Sequence, residues 1–234
     1  MPQERNIGRD IEIVVAADAE GAARIVAERL ADAARAGGHV VLTGGSTPKR
    51  AYELTSELEQ DWSRVELWWG DERCVPTDDE RSNYHMARVA LIDRVSGAPA
   101  KIHRMRGELG RDEGALLYEQ ELGSLQRFDL MLLGLGPDGH VASLYPDQPT
   151  LDATDRRAIG AEAKLQPFVD RITLTLPMLR AADEVLFLVA GADKAEAAQR
   201  AFAGEPSRTT PGSLVRAVGG KTVAVLDAAA ASRL

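Results

Sequence analysis

Residues 128–146 read FDLMLLGLGPDGHVASLYP. The stretch opens as a continuous apolar run, Leu130 to Leu133, of the kind that suits a strand buried on both faces. It then breaks into Gly134, Gly136, Pro137, Asp138, Gly139 and His140. A chain that only had to reverse could do so in two residues. The same grammar recurs three times: HVVLT (39–43) runs into GGSTP, RVELWW (64–69) into GDERCVP, and EVLFLVA (184–190) into GADK. Two further apolar runs, IEIVVA (11–16) and TVAVLD (222–227), lack such endings. Between the runs lie helix-like segments at 19–35, 48–58, 83–95, 111–122 and 194–202. Strands alternating with helices predict an α/β fold, a mainly parallel sheet with helices on both faces. Ligands of such sheets bind outside the carboxyl ends of the strands. Four polar endings therefore aim at one crevice.

Composition narrows the function classes. The chain has 234 residues, enough for one large domain, and a formal net charge of −8 from 28 basic and 36 acidic residues. Bulk charge gives no basic footprint for nucleic acid. The single cysteine, Cys74, allows no intramolecular disulfide and no multi-cysteine zinc site. The amino-terminal residues show no apolar signal core, and no run approaches the ~18 apolar residues of a membrane span. The expectation is a soluble cytoplasmic protein with no membrane partner. Residues 146–169, with prolines at 146, 149 and 167, read as a long excursion within a single domain spanning 1–234.

Each polar ending carries its own chemistry. In TGGSTP, Gly44 and Gly45 permit a positive φ or a close backbone approach. Ser46 or Thr47 suits an N-cap and Pro48 the first helical position, so exposed N–H groups would form an anion site. A plain capped turn would read the same way, and the spacing is not that of a P-loop. Lys194 of GADK is placed in a first helical turn, where a cation opposes the macrodipole unless a bound phosphate complements it. A solvated lysine is the alternative. Arg171 opens RITLTLP, whose alternation suggests an edge or antiparallel strand. If antiparallel, its start would lie beside the other strands' carboxyl ends. Asp71, Glu72 and Arg73 of GDER make either a solvated turn or a group that orients an imidazole, binds hydroxyls or holds an oxyanion. SNYHMAR (82–88) reads as a capped helix start, and His85, His39 and His103 as ordinary histidines. His140 alone lies just beyond an apolar run inside a glycine-rich turn, where it can pass a proton near neutral pH. Ser143 lies close by, but no nucleophile elbow surrounds it. No metal-binding spacing is present.

GGSTP, WWGDERCVP followed by SNYHM, GLGPDGHVASLYP, RITLT and AGADKAEA resemble, in this order, the motifs of the 6-phosphogluconolactonases. The resemblance spans roughly residues 11–227. It implies a three-layer α/β/α domain with a Rossmann-like sheet, of the glucosamine-6-phosphate deaminase type. It also implies a carboxylic ester hydrolase of the oxidative pentose phosphate pathway that uses no cofactor and no metal, working as a monomer on a sugar-phosphate lactone. His140 then looks like the base that activates water. Arg171 and Lys194 look like the phosphate pair, with Gly44, Gly45, Ser46 and Thr47. Asp71 and Arg73 match active-site positions. Either Asp71 or Asp138 would fix the tautomer of His140, as an acid does in hydrolytic triads. Either a backbone N–H or Arg73 would hold the oxyanion. Val141 and Tyr145 depart from the family's frequent Thr and Phe while keeping size or aromaticity.

Two rivals share these features. A deaminase would use Asp138 as base, and in that family a glutamate follows five residues after the histidine, where this chain has Tyr145. A sugar-phosphate sensor would need a DNA-binding or partner module, and only about ten residues precede the first strand. A nucleotide-binding module is weaker, since GLGPDG fits a dinucleotide fingerprint only loosely.

Overall fold

The computed structural model describes residues 11–164, 166 and 168–234, together with the backbone of residues 3–6. Leu165 and Pro167, within the expected excursion, lie outside the described residues. The expected runs form β2 (Ile11–Ala16), β3 (Gly38–Leu42), β4 (Val65–Trp69), β7 (Phe128–Leu133), β10 (Ala182–Val189) and β11 (Lys221–Asp227). With β1 (Gln3–Asn6) and the short β6 (Lys101–Ile102) they build one sheet in the order β1-β2-β11-β10-β7-β3-β4-β6. Every pairing from β2 to β6 is parallel, and β1 joins antiparallel.

Successive side chains of a strand point to opposite faces. Leu130 and Leu132 therefore pack with α1 (Ala19–Ala36), α2 (Ser46–Leu58) and α3 (Asn83–Ala90). Met131 and Leu133 pack with α4 (Arg111–Leu122), α5 (Leu176–Leu179) and α6 (Ala195–Ala198). Apolar layers on both faces are why these strands are unbroken apolar runs rather than alternating ones. The fold is a three-layer α/β/α sandwich around a mainly parallel sheet. Among the described residues, no helix is long and apolar enough to cross a membrane.

A second sheet, unread in the sequence, has the order β5 (Asp71–Arg73), β9 (Arg171–Leu174), β8 (Ala158–Ala161), all antiparallel. Arg171 thus opens an antiparallel strand, but a central one and not an edge. The excursion supplies β8, so part of it is ordered structure. Helix limits also shift. The 83–95 segment is helical only to Ala90 and continues as a 3-10 turn, Ile92–Arg94. Lys194 closes a 3-10 turn, Ala192–Lys194, ahead of α6, which passes into a π-turn at Gln199–Ala203.

Candidate active site

The strands β4, β3, β7 and β10 are consecutive neighbours, so the four polar endings stand side by side. From β3 the chain steps outward to β4 and β6, and from β7 it steps the other way to β10 and β11. The boundary between β3 and β7 is a topological switch point, where open α/β sheets form a ligand crevice. A cleft of about 560 Å³ lies there. Gly44, Gly45, Ser46, Thr47, Asp71, Arg73, His140, Arg171 and Lys194 all line it, and Asp138 stands behind His140.

The turn after β7 presents the imidazole. His140 Nδ1 lies 2.6 Å from Asp138 Oδ1, and the His140 N–H donates to the same oxygen at 3.1 Å. A carboxylate only accepts, so neutral His140 carries its proton on Nδ1 and keeps a lone pair on Nε2. Nε2 has no hydrogen-bond partner among the described residues. A side chain at Gly136 would run into the ring, which explains that glycine. Tyr145, buried, packs its ring 5.0 Å from His140. Ala142, a non-glycine residue at φ 50°, holds the cleft wall in left-handed backbone, a strain typical of functional sites. Burial opposes ionisation of Asp138, but the hydrogen bond and charge of His140 outweigh it and hold the carboxyl below its ordinary value.

The tautomer question left open between two carboxylates has a geometric answer: Asp138 touches His140, and Asp71 does not. Asp71 accepts from Ser143 Oγ at 2.6 Å and Asn83 Nδ2 at 3.2 Å. Glu72, read as a third charge of the turn, is buried and faces away from the cleft. It accepts from the N–H groups of Arg73, Asn83 and Tyr84, each at 2.7 Å, and from Ser82 Oγ at 2.9 Å. It therefore anchors the start of α3, where negative charge is favoured. Burial pushes its carboxyl up, against the pull of those four donors. Ser143 and Asn83 were missed as site residues. Their only sequence signal was proximity to motifs already marked.

Cations and helix dipole share the cleft. Arg73 and Arg171 are directly paired across β5 and β9. Like charges so placed destabilise a sheet unless an anion joins them. Arg171 is only 3% exposed, so a surface role is excluded. Arg73 donates to the Arg81 carbonyl at 2.6 Å. Lys194 Nζ lies 3.1 Å from Asp193. Helix α2 begins at Ser46, two residues before the expected Pro48. Its N-cap is Gly45, at φ 115°, and no side chain caps its first turn. Neither Ser46 nor Thr47 is the cap, and the early amides of α2 lie at the cleft. Burial, with Asp170 nearby, pushes the Cys74 thiol up to about 11. Among the described residues, no three His, Cys, Asp or Glu side chains converge as a metal site.

A family model described as glucosamine-6-phosphate isomerases/6-phosphogluconolactonase matches residues 15–224. The chain belongs to this family. It is 39% identical to the 6-phosphogluconolactonase of Streptomyces coelicolor, with 97% of this chain and 93% of that protein covered. With the 6-phosphogluconolactonase of Mycobacterium leprae it shares 40% identity over 86% of this chain and 87% of the relative. The crystal structure of a 6-phosphogluconolactonase from Thermotoga maritima superposes with a TM-score of 0.81 at 30% identity, covering 92% of this chain and 98% of the other. The family name joins isomerases and lactonases, the relatives named here are lactonases, and the cleft bears on the same choice.

Proposed function

We propose that this chain hydrolyses 6-phospho-D-glucono-1,5-lactone to 6-phospho-D-gluconate, the second step of the oxidative pentose phosphate pathway, with His140 as general base. The observation that carries this reading is the His140–Asp138 pair, which leaves Nε2 available in a cleft that also holds Arg171, Lys194 and the start of α2. The lactonase names of the relatives support it.

The substrate phosphate docks at the α2 amides, Gly44 to Thr47, with Arg171 and Lys194 supplying charge-assisted contacts. The lactone carbonyl then reaches His140. Nε2 takes a proton from water as the water oxygen bonds to C1, and Asp138 steadies the imidazolium. Arg73 stabilises the oxyanion. As the C1–O5 bond breaks, the imidazolium returns its proton to the departing ring oxygen. The protein ends as it began, one water is consumed, and the new carboxylic acid releases its proton to solvent to give the carboxylate.

The isomerase reading keeps a base in Asp138 but lacks its second carboxylate. Asp71 is the only acid lining the cleft among the described residues, and its oxygens already hold Ser143 and Asn83. Tyr145 occupies the place where the deaminases carry glutamate. The reading goes with a cytoplasmic enzyme working without metal, and with the separate expectation of a monomer.

The test is direct. Purified protein, with chelator present, is expected to speed loss of the lactone above its spontaneous hydrolysis. No acceleration would sink the reading. Arg171→Ala and Lys194→Ala should each raise KM for the phosphorylated lactone by about tenfold or more while sparing the unphosphorylated lactone.

A further inference from the structure

Asn83 is 1% exposed, lines the cleft and opens α3. Its Nδ2 donates to the Asp71 carbonyl at 2.8 Å and to Asp71 Oδ1 at 3.2 Å. Both partners are acceptors only, so the amide orientation is forced. Its N–H is held by Glu72 at 2.7 Å. The other end of the carboxamide, Oδ1, is buried with no hydrogen-bond partner. Native structures rarely leave such an acceptor without a reason, since it costs about 1–3 kcal/mol.

Oδ1 abuts Gly44. A Cβ built on Gly44 would overlap Oδ1 and crowd the amide carbon and nitrogen as well. Gly44 is not among the positive-φ glycines, unlike Gly45. A positive φ therefore does not demand a glycine at 44, and the three atoms nearest an added Cβ all belong to the carboxamide of Asn83. One rigid group thus spans from the backbone of Asp71 to the backbone of the glycine turn.

We propose that Asn83 is a positioning residue: its carboxamide is the spacer that sets the glycine turn after β3 at a defined distance from Asp71. This rests on the reading above, in which the turn holds the substrate phosphate. Asn83 does not touch the substrate. It acts through Gly44 on the phosphate end of the cleft and through Asp71 on the sugar end. The unpartnered acceptor is the cost of using a planar, short, polar group as a wedge.

The test is a double-mutant cycle on Gly44 and Asn83, read by KM and kcat and, in parallel, by calorimetric affinity for 6-phosphogluconate. Gly44→Ala alone is expected to weaken both KM and affinity about 30-fold or more, because the methyl meets Asn83. Asn83→Ala alone should weaken them about fivefold, with thermal stability reported separately. Combining the two should recover about sixfold relative to Gly44→Ala, to roughly the level of Asn83→Ala alone, since the wedge is gone. If Asn83→Ala does not fold, Asn83→Ser replaces it: the serine is shorter toward Gly44 and keeps a hydroxyl donor. A harmless Gly44→Ala, or single effects that simply multiply, would overturn the proposal. So would an Asn83 variant that loses stability with KM and affinity unchanged. A wild type that binds 6-phosphogluconate without turning over the lactone would sink the reaction, while the cycle in affinity would still decide the spacer.

Discussion

His140 and His103 both sit against acids, and they do opposite things with them. His140 gives one nitrogen to Asp138 and keeps Nε2 for the cleft, with its side chain 23% exposed. His103, 3% exposed, lies after the edge strand β6 with Nδ1 at 2.8 Å from Glu121 and Nε2 at 2.7 Å from Glu66. Its ring stacks on Trp68 with centroids 3.6 Å apart. Neither nitrogen of His103 is left to take a proton from water. A carboxylate beside a histidine is therefore no mark of catalysis. What sets His140 apart from His103 is a partner on one nitrogen only, at the carboxyl ends of the strands.

The widest separation between the two should come from removing each ring. His140→Asn is expected to lower kcat by about 10²–10⁴-fold with little change in KM, and steady-state kinetics checks this. An effect confined to KM would demote His140 from base to binding residue. Next in size, Asp138→Asn should lower kcat by about 10²-fold through loss of the fixed tautomer, with the fold intact by circular dichroism. If Asp138→Asn retains full rate, the pair is not what distinguishes His140. His103→Gln should leave kcat and KM near wild type and cost about 1–3 kcal/mol in stability, read by denaturant or thermal unfolding. A loss of rate larger than the loss of folded protein would erase the contrast.

The smallest effect is in pH. The hydrogen bond from His103 holds the Glu66 carboxyl below its ordinary value. A depressed folded pKa contributes stability that is complete above the unfolded value, about 4.3, and drains away as pH falls through the folded one. Asp138, also depressed, behaves the same way. Unfolding curves of His103→Gln should therefore lose less stability than wild type on acidification below about pH 4.5. Parallel curves would show that the Glu66 contact contributes nothing.

Much of the fold was legible because it rests on local pattern. Strands covered on both faces must be apolar throughout, and each such run was visible. The second sheet was not. Asp71 to Arg73 look like a charged turn, and residues 158–161 like part of a loop, since three short antiparallel strands carry little periodicity. Helix starts shifted for a similar reason: Pro48 is compatible with several early helical positions, and Gly45 as N-cap leaves no side-chain signal. In the site, His140 and Lys194 stood out by following apolar runs, whereas Ser143 and Asn83 act through contacts with Asp71 that no spacing announces.

By itself the sequence determined which strands end in polar turns and which histidine one such turn presents, because chain neighbours stay neighbours in any fold. Tertiary structure alone decided the rest. Sheet order made β4, β3, β7 and β10 adjacent and put the switch point between the glycine turn and the histidine turn. Antiparallel pairing set Arg171 against Arg73, and packing chose Asp138 over Asp71 as the partner of His140. Those choices depend on which distant segments share a ladder or a contact, and local composition does not encode that.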